Sequence, residues 1–527
     1  MKTKRILSIL LAASMTAAML AGCGGSSDSG SQAGGDTKAA STQESDGGEA
    51  VEGYSTEIDM EEEPYTVAIQ VVTLPGTEFA GEEDREAAIN AITEPAINCK
   101  VDIQEVWISE IANTTSMAVA GDEKIDLVHV ATVSPLSSMV GSDLLLDMNE
   151  DNLLANRGQD IVSIFGDDLL AAGNVGGRQL AVPAKTFNAT AKGILYNKTM
   201  AAELGIEVPE KLTMEELNDI LYQVHEAAPD VMPYYTGEGK LNYLFWLENY
   251  ETFGTESSYG VILDSGKEMK VENLYATDMF KDYCLQAFHW KQDGIQPGDP
   301  TDTNTAQDYF NAQKLFCAVA SVNPEQIVSW GSNAAQAGFE VGSATLVDPK
   351  LTNTAITEYM WGIASNSERP DKAMDFLNFL YTNAEVANIL KYGLDGVNYD
   401  FAEGSDKVIV SNGSYIPMFY YAGNMADMLI QSPAGEDYVD QLQAMEDEAT
   451  ISPVCAYMFD DTDFQTESSV IYSTILEYLP RLQCGMCESE EATLALIDEF
   501  NAKLEASGIN DVIAANQEQL DAFMSAQ

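Results

Sequence analysis

Tyr65-Thr66-Val67-Ala68-Ile69-Gln70-Val71 puts Tyr65, Val67, Ile69 and Val71 at alternate positions, the period of a strand. Residues 82–92 then carry apolar side chains at helical spacing. Val101 and Ile103 resume the strand period, residues 111–120 read as a second helix, and residues 125–130 form a short, nearly continuous apolar strand. Strands alternating with helices predict a parallel, doubly wound sheet, because parallel neighbours need a crossover and the helix supplies it. Ligands of such sheets bind beyond the carboxyl ends of the strands, here residues 73–78, 107–109 and 129–134. Thr77 and Glu78 after the first strand, and His129 and Thr132 after the third, are therefore candidate polar contacts. His129 alternates with Val128 and Val130, a position that suits a structural imidazole as well as a ligand contact.

Farther along, Ile194-Leu195-Tyr196 reads as a strand, and Thr213-Met214-Glu215-Glu216 writes a capping box for a helix. Leu217, Leu221 and Val224 share one face of that helix, and Pro229 stops it. Pro370 can open another, with Met374, Leu377 and Leu380 or Tyr381 facing a core. Thr382 and Glu385 are expected to cap the next helix, which ends near Gly393, and residues 470–523 are mostly helical by pattern. Some 460 residues in this region exceed one ordinary core, so two lobes are expected.

Several stretches together resemble the extracellular solute-binding proteins of ABC importers, in particular the large carbohydrate-type class. They are Gly193-Ile194-Leu195-Tyr196-Asn197-Lys198 with Leu204-Gly205-Ile206 and Pro209; Gly177-Arg178-Gln179-Leu180-Ala181-Val182-Pro183; and Trp361-Gly362-Ile363-Ala364 with Arg369-Pro370-Asp371-Lys372-Ala373-Met374 and Phe376-Leu377. Tyr392-Gly393-Leu394-Asp395-Gly396 points to a lipoprotein subgroup with a C-terminal domain of unknown function. Met214 stands where the class usually has Trp. The resemblance implies an α/β, two-lobe periplasmic-binding-protein-like fold with hinge strands and a central ligand cleft. It places the N-terminal lobe at residues 64–185 plus about 360–420, and the C-terminal lobe at residues 186–359 plus about 421–527.

The same resemblance implies a small polar ligand, a sugar or oligosaccharide, passed to separate permease subunits in the membrane by a monomer. Tyr234, Tyr235, Tyr243, Phe245, Trp246, Tyr250 and Phe253 crowd one region. A flat ring covers the apolar face of a pyranose while its rim meets hydroxyls, so Tyr243 and Trp246 are the first stacking candidates. Aromatics at this spacing also build cores. Phe187 at the hinge, Asn323 in a loop before Pro324, and Phe464 after Asp460-Asp461-Thr462-Asp463 complete the candidate set. Glu325 stands where a stacking Trp is common in the family.

At the N-terminus, Lys2, Lys4 and Arg5 precede an apolar run at residues 6–20, the pattern of an export signal over residues 1–22. The run is shorter than the roughly 20 residues a membrane-spanning helix needs. Leu20-Ala21-Gly22-Cys23 resembles the bacterial lipobox, which implies a lipidated Cys23 whose two acyl chains, palmitate-like in length, hold the protein on the extracytoplasmic face of the cell membrane. Residues 24–63 lack large apolar side chains and are expected to be a disordered tether spanning about 35 Å.

The formal charge of −58 argues against nucleic acid as a partner, since that role needs a basic patch. No G-x-x-x-x-G-K-[ST] loop, H-E-x-x-H or G-x-S-x-G is present, and no cofactor or metal is expected. Cys484-Gly485-Met486-Cys487 lacks a second pair, so a surface-loop disulfide or free thiols is the expectation over redox or zinc chemistry; Cys99, Cys284, Cys317 and Cys455 read as core. Two other functions remain open: a surface glycosidase, which needs two carboxylates across a cleft, and a glycan-binding adhesion lipoprotein with no permease partner.

Overall fold

The computed structural model describes residues 53–526 apart from 74–79, 132, 236–249, 254–258, 264–266, 298, 300, 416, 418–422 and 456. The chain divides into residues 1–50 and residues 51–527, and the described strands and helices all lie in the second unit.

The alternating segment at Tyr65 becomes strand β1 (Tyr65–Thr73), followed by α1 (Glu82–Ile97), β2 (Cys99–Trp107), α2 (Ile111–Ala120), β3 (Leu127–Ala131) and β4 (Val182–Pro183). A second group comprises β5 (Thr190–Asn197), α3 (Met214–Ala227), β6 (Met232–Tyr234), α4 (Asp278–Asp293), β7 (Leu315–Val322), α5 (Pro324–Ala337) and β8 (Val341–Leu351). Next come β9 (Tyr359–Ile363), α6 (Pro370–Thr382), α7 (Ala384–Tyr392), β10 (Tyr399–Phe401), β11 (Val408–Ser411) and β12 (Ile430–Gln431). The chain ends with β13 (Thr450–Ile451), α8 (Gln465–Gln483), α9 (Glu490–Ala506) and α10 (Ile509–Ala526).

Two five-stranded sheets result, β2-β1-β3-β9-β4 and β13-β8-β5-β7-β6. In the first, β1 runs parallel to β2 with Ile69 opposite Ile103, and β9 closes antiparallel with Trp361 opposite His129. From Val67 onward β1 is buried on both faces, the condition of a parallel strand covered above and below. One face packs Val67, Ile69 and Val71 with Met374, Leu377 and Tyr381 of α6; the other packs Val128 and Val130 of β3 with Leu144 and Met360. In the second sheet the period of two splits β5 in the same way. Ile194 and Tyr196 join Leu217, Leu221, Trp290 and Phe500, whereas Leu195 joins Phe310, Trp330 and Phe339. A Cβ on Gly193 would stand 2.0 Å from the Ala344 carbonyl oxygen, so glycine is what lets β5 and β8 approach.

Local signals act where the sequence places them. Thr213 and Glu216 form both bonds of the capping box, and α3 ends before Pro229. The cap of α7 is Asn383, whose side chain accepts from Val386 N–H, rather than Thr382, whose hydroxyl turns back to the Asn378 and Phe379 carbonyls. Residues 53–63, expected as tether, have defined partners on the first sheet's half. Asn98 Nδ2 donates to the Asp59 and Glu62 carbonyls at 3.0 Å, Arg157 Nη1 to the Glu57 carbonyl at 2.6 Å, and Asn156 Nδ2 to the Tyr54 carbonyl at 2.7 Å. Glu62 accepts from Arg369 at 3.0 and 3.2 Å and pairs with Lys372 at 2.9 Å.

Candidate functional site

The strand order makes the chain pass between the two five-stranded sheets three times: β4 to β5, β8 to β9, and β9 to β13 by way of the small sheet β10-β11-β12. These passages touch one another. Ala184 N–H donates to the Tyr359 carbonyl at 2.9 Å, and Ala189 N–H to Glu446 Oε2 at 3.2 Å. Met425 N–H donates to the Lys185 carbonyl at 2.9 Å. A shared set of crossing strands is where one half can rotate against the other with few dihedral changes.

The sequence candidates fall at different places. Thr77, Glu78, Thr132, Tyr243 and Trp246 lie outside the described residues. His129 is fully buried: its Nε2 pairs with the Gln70 carbonyl oxygen at 3.0 Å and its ring lies 4.0 Å from that of Trp361. Burial pushes the imidazole down to about 3, with the Gln70 carbonyl opposing, so it is neutral at ordinary pH. The expectation of a ligand contact is corrected here: β3 is an interior strand, and a side chain with no exposed surface has nothing to offer a ligand. Phe187 lies half-buried in the first passage, 6.0 Å from Lys185 Nζ. Asn323 is half-buried and caps α5, its Oδ1 accepting from Gln326 N–H at 2.8 Å. Phe464 packs against the second core beside Phe459, ring centroids 6.3 Å apart. Among the described residues no hydrogen bond or ring contact joins Phe187, Asn323 and Phe464.

Of the aromatic cluster, Tyr234, Tyr235 and Tyr250 are buried and serve as core. Cys99, Cys284, Cys317 and Cys455 are buried as expected; Cys484 and Cys487 are also buried, not exposed as a surface loop would leave them. Gly485 between them packs on α4, where a Cβ would meet the Ala287 carbonyl oxygen at 2.2 Å. Among the described residues no cluster of His, Cys, Asp and Glu is arranged to hold a metal ion.

Three charged residues from distant parts of the sequence influence one another's titration: Glu325, Glu358 and Lys391. Glu325 is in the first turn of α5, whose Trp330 and Ala334 belong to the second sheet's cores. Lys391 is in the last turn of α7, whose Ile389 and Leu390 belong to the first. Glu358 lies in the second passage, next to β9. Val328, one turn beyond Glu325, packs against Val408 and Ile430 of the small sheet β10-β11-β12, so the start of α5 lies against the first half.

Glu325 and Glu358 are solvent-exposed, yet surrounding protein raises the pKa of both. The Lys391 charge pulls Glu325 back down, and the Glu325 charge lifts Glu358 further. Burial pushes Lys391 down to about 8, against the pull of Glu325. The departure at Glu325 was visible in the sequence; Lys391 reads there as an ordinary helix-terminal cation.

Two sheet-centred halves joined by three passages define a two-lobed α/β fold. The fold is that of the extracellular solute-binding proteins of ABC transporters, and residues 453–525 match the family described as a domain of unknown function (DUF3502). A carbohydrate ABC transporter substrate-binding protein of Streptococcus pneumoniae serotype 4 is 24% identical over 445 residues, which cover 83% of this chain and 87% of that protein. The crystal structure of the N-glycan transport solute-binding protein NgtS from Streptococcus pneumoniae is similar with a TM-score of 0.74 at 22% identity, covering 87% of this chain and 99% of that one. NgtS in complex with Man5GlcNAc gives 0.62 at 22% identity, covering 88% and 99%. An extracellular solute-binding protein from Bifidobacterium longum subsp. infantis gives 0.57 at 15% identity, covering 88% and 99%.

Proposed function

We propose that this chain is a lipid-anchored, extracytoplasmic solute-binding protein that captures a saccharide between its two halves and delivers it to an ABC import permease. The observation that carries this reading is the triple passage of the chain between its two sheet-centred halves. A one-lobed adhesion module needs no such hinge. The relatives support the ligand class: one is named for carbohydrate, and NgtS was crystallised with Man5GlcNAc.

In this reading residues 64–185 plus about 360–420 form one lobe, and residues 186–359 plus about 421–527 form the other. Phe187 and Asn323, with Thr77, Glu78, Thr132, Tyr243 and Trp246, are proposed to line the ligand, and Phe464 to approach from the C-terminal lobe. Cys23 carries the anchor, residues 1–22 are removed on export, and the protein releases its ligand unchanged. Among the described residues no helix is long and apolar enough to cross a membrane.

The test uses the chain from residue 24 onward with a panel of neutral and acidic oligosaccharides. A bound saccharide is expected to raise the melting temperature and reduce the radius of gyration in small-angle scattering, with no new products by mass spectrometry. Stabilisation without contraction would favour the adhesion reading, and turnover would favour the glycosidase. For the anchor, Cys23→Ala is expected to abolish fatty-acid labelling and release the protein from cells.

A further inference from the structure

Trp107, the last residue of β2, has 41% of its surface exposed, and among the described residues no hydrogen bond or ring contact engages its indole. Trp290 and Trp361, by contrast, have no exposed surface. One exposed apolar side chain is ordinary on any protein, so its position has to decide what it means.

The strand register supplies that position. Trp107 stands opposite Thr73, the last residue of β1, in the parallel pair. Ile69 stands opposite both Ile103 and Leu127, so β1, β2 and β3 end level with one another, at Thr73, Trp107 and Ala131. Ala131 is in turn opposite Tyr359, the first residue of β9, and Met360 is opposite Pro183, the last residue of β4. The chain arrives from the second half at Tyr359 and leaves for it at Pro183. The edge of the first sheet that ends in Trp107 is therefore the edge from which these passages run to the second half. It is also the carboxyl edge of the parallel strands, where sheets of this kind hold ligands. Val133, two residues past the end of β3, is a second large apolar side chain exposed there.

The order β2-β1-β3-β9-β4 sets Trp107 at the side of this edge away from the hinge. Four strand spacings of about 4.8 Å, roughly 19 Å in all, separate β2 from β4. A single sugar at Phe187, just past β4, cannot also touch Trp107; a chain of several rings can. An indole offers a flat face to the C–H side of a pyranose and an N–H to a hydroxyl. We propose, resting on the saccharide-binding function, that Trp107 is an outer subsite that stacks on a distal ring of an extended oligosaccharide, so that the protein selects longer chains over mono- and disaccharides.

The experiment measures binding by calorimetry for the wild type, Trp107→Ala and Trp107→Phe. The long probes are Man5GlcNAc, maltopentaose and cellopentaose; the short ones are Man1GlcNAc, maltose and cellobiose. The wild type is expected to bind at least one long probe more tightly than its short counterpart. Trp107→Ala should weaken that long probe by about tenfold and leave the short one within twofold, while Trp107→Phe keeps most of the affinity. The long probe should also shift the tryptophan emission of the wild type more than that of Trp107→Phe. Because the side chain is exposed, the ligand-free melting temperature should be the same in all three proteins, which checks folding. Trp107→Ala within twofold of the wild type on a long probe would overturn the subsite but leave the saccharide-binding function standing. Equal losses on long and short probes would overturn its outer placement, and a wild type that binds only short probes would overturn the selection for length. Failure of the wild type to bind any probe would remove the proposed function and this inference with it.

Discussion

His129 shows what a single titrating group does to stability in this fold. The unfolded imidazole takes up a proton near 6.5, but the buried one does so only at about 3. The unfolded state therefore binds more protons below 6.5, and stability falls as pH drops from there toward 3, by about 1.4 kcal/mol per unit. Between pH 6.5 and 5 that is about 2 kcal/mol, and urea unfolding of the wild type and His129→Gln should show the shallower pH slope in the variant. Hydrogen bonds from Arg369 and Lys372 hold Glu62 down at about 2, so its contribution is present above its ordinary 4.5 and lost as pH falls through 2. Both groups weaken the protein in acid, His129 first. Leu377 has no exposed surface in the first core, and Leu377→Ala should cost about 2–5 kcal/mol in the same assay. Its burial was legible from helical spacing. The role of His129 was not, because alternation between two valines gives the face of a strand but not whether a helix covers that face.

At the scale of elements, the sequence was most readable where a local interaction decides the outcome. The strand at Tyr65, the helix at 111–120, the capping box at Thr213 and the start of α6 at Pro370 all depend on neighbours within four residues. Thr213→Ala should lower stability by about 1 kcal/mol and fray the first turn of α3, visible as faster amide exchange there. The cap of α7 moved one residue because Asn383 competes better than Thr382, whose hydroxyl is taken by the helix before it. The segment at residues 54–62 was unreadable for another reason: its polar composition says it has no core, whereas what holds it are Asn98, Arg157, Arg369 and Lys372, far away in sequence. Glu62→Ala should speed amide exchange and proteolysis within that segment while leaving saccharide binding unchanged.

For the molecule as a whole, a charge of −58 means that self-repulsion opposes compactness at neutral pH. Raising sodium chloride from about 20 to 500 mM shortens the screening length from roughly 20 Å to about 4 Å and should raise the melting temperature. An unchanged or lower value would show that the acids are already offset by local partners. The polar clasp on residues 54–62 has a mechanical consequence. Its partners all belong to the half built on β1, so any leash at the chain's start hauls on that half alone. Under the proposed function the opposite half would be unmoored, and each gulp of cargo would be a swing of a free jaw against a fixed one.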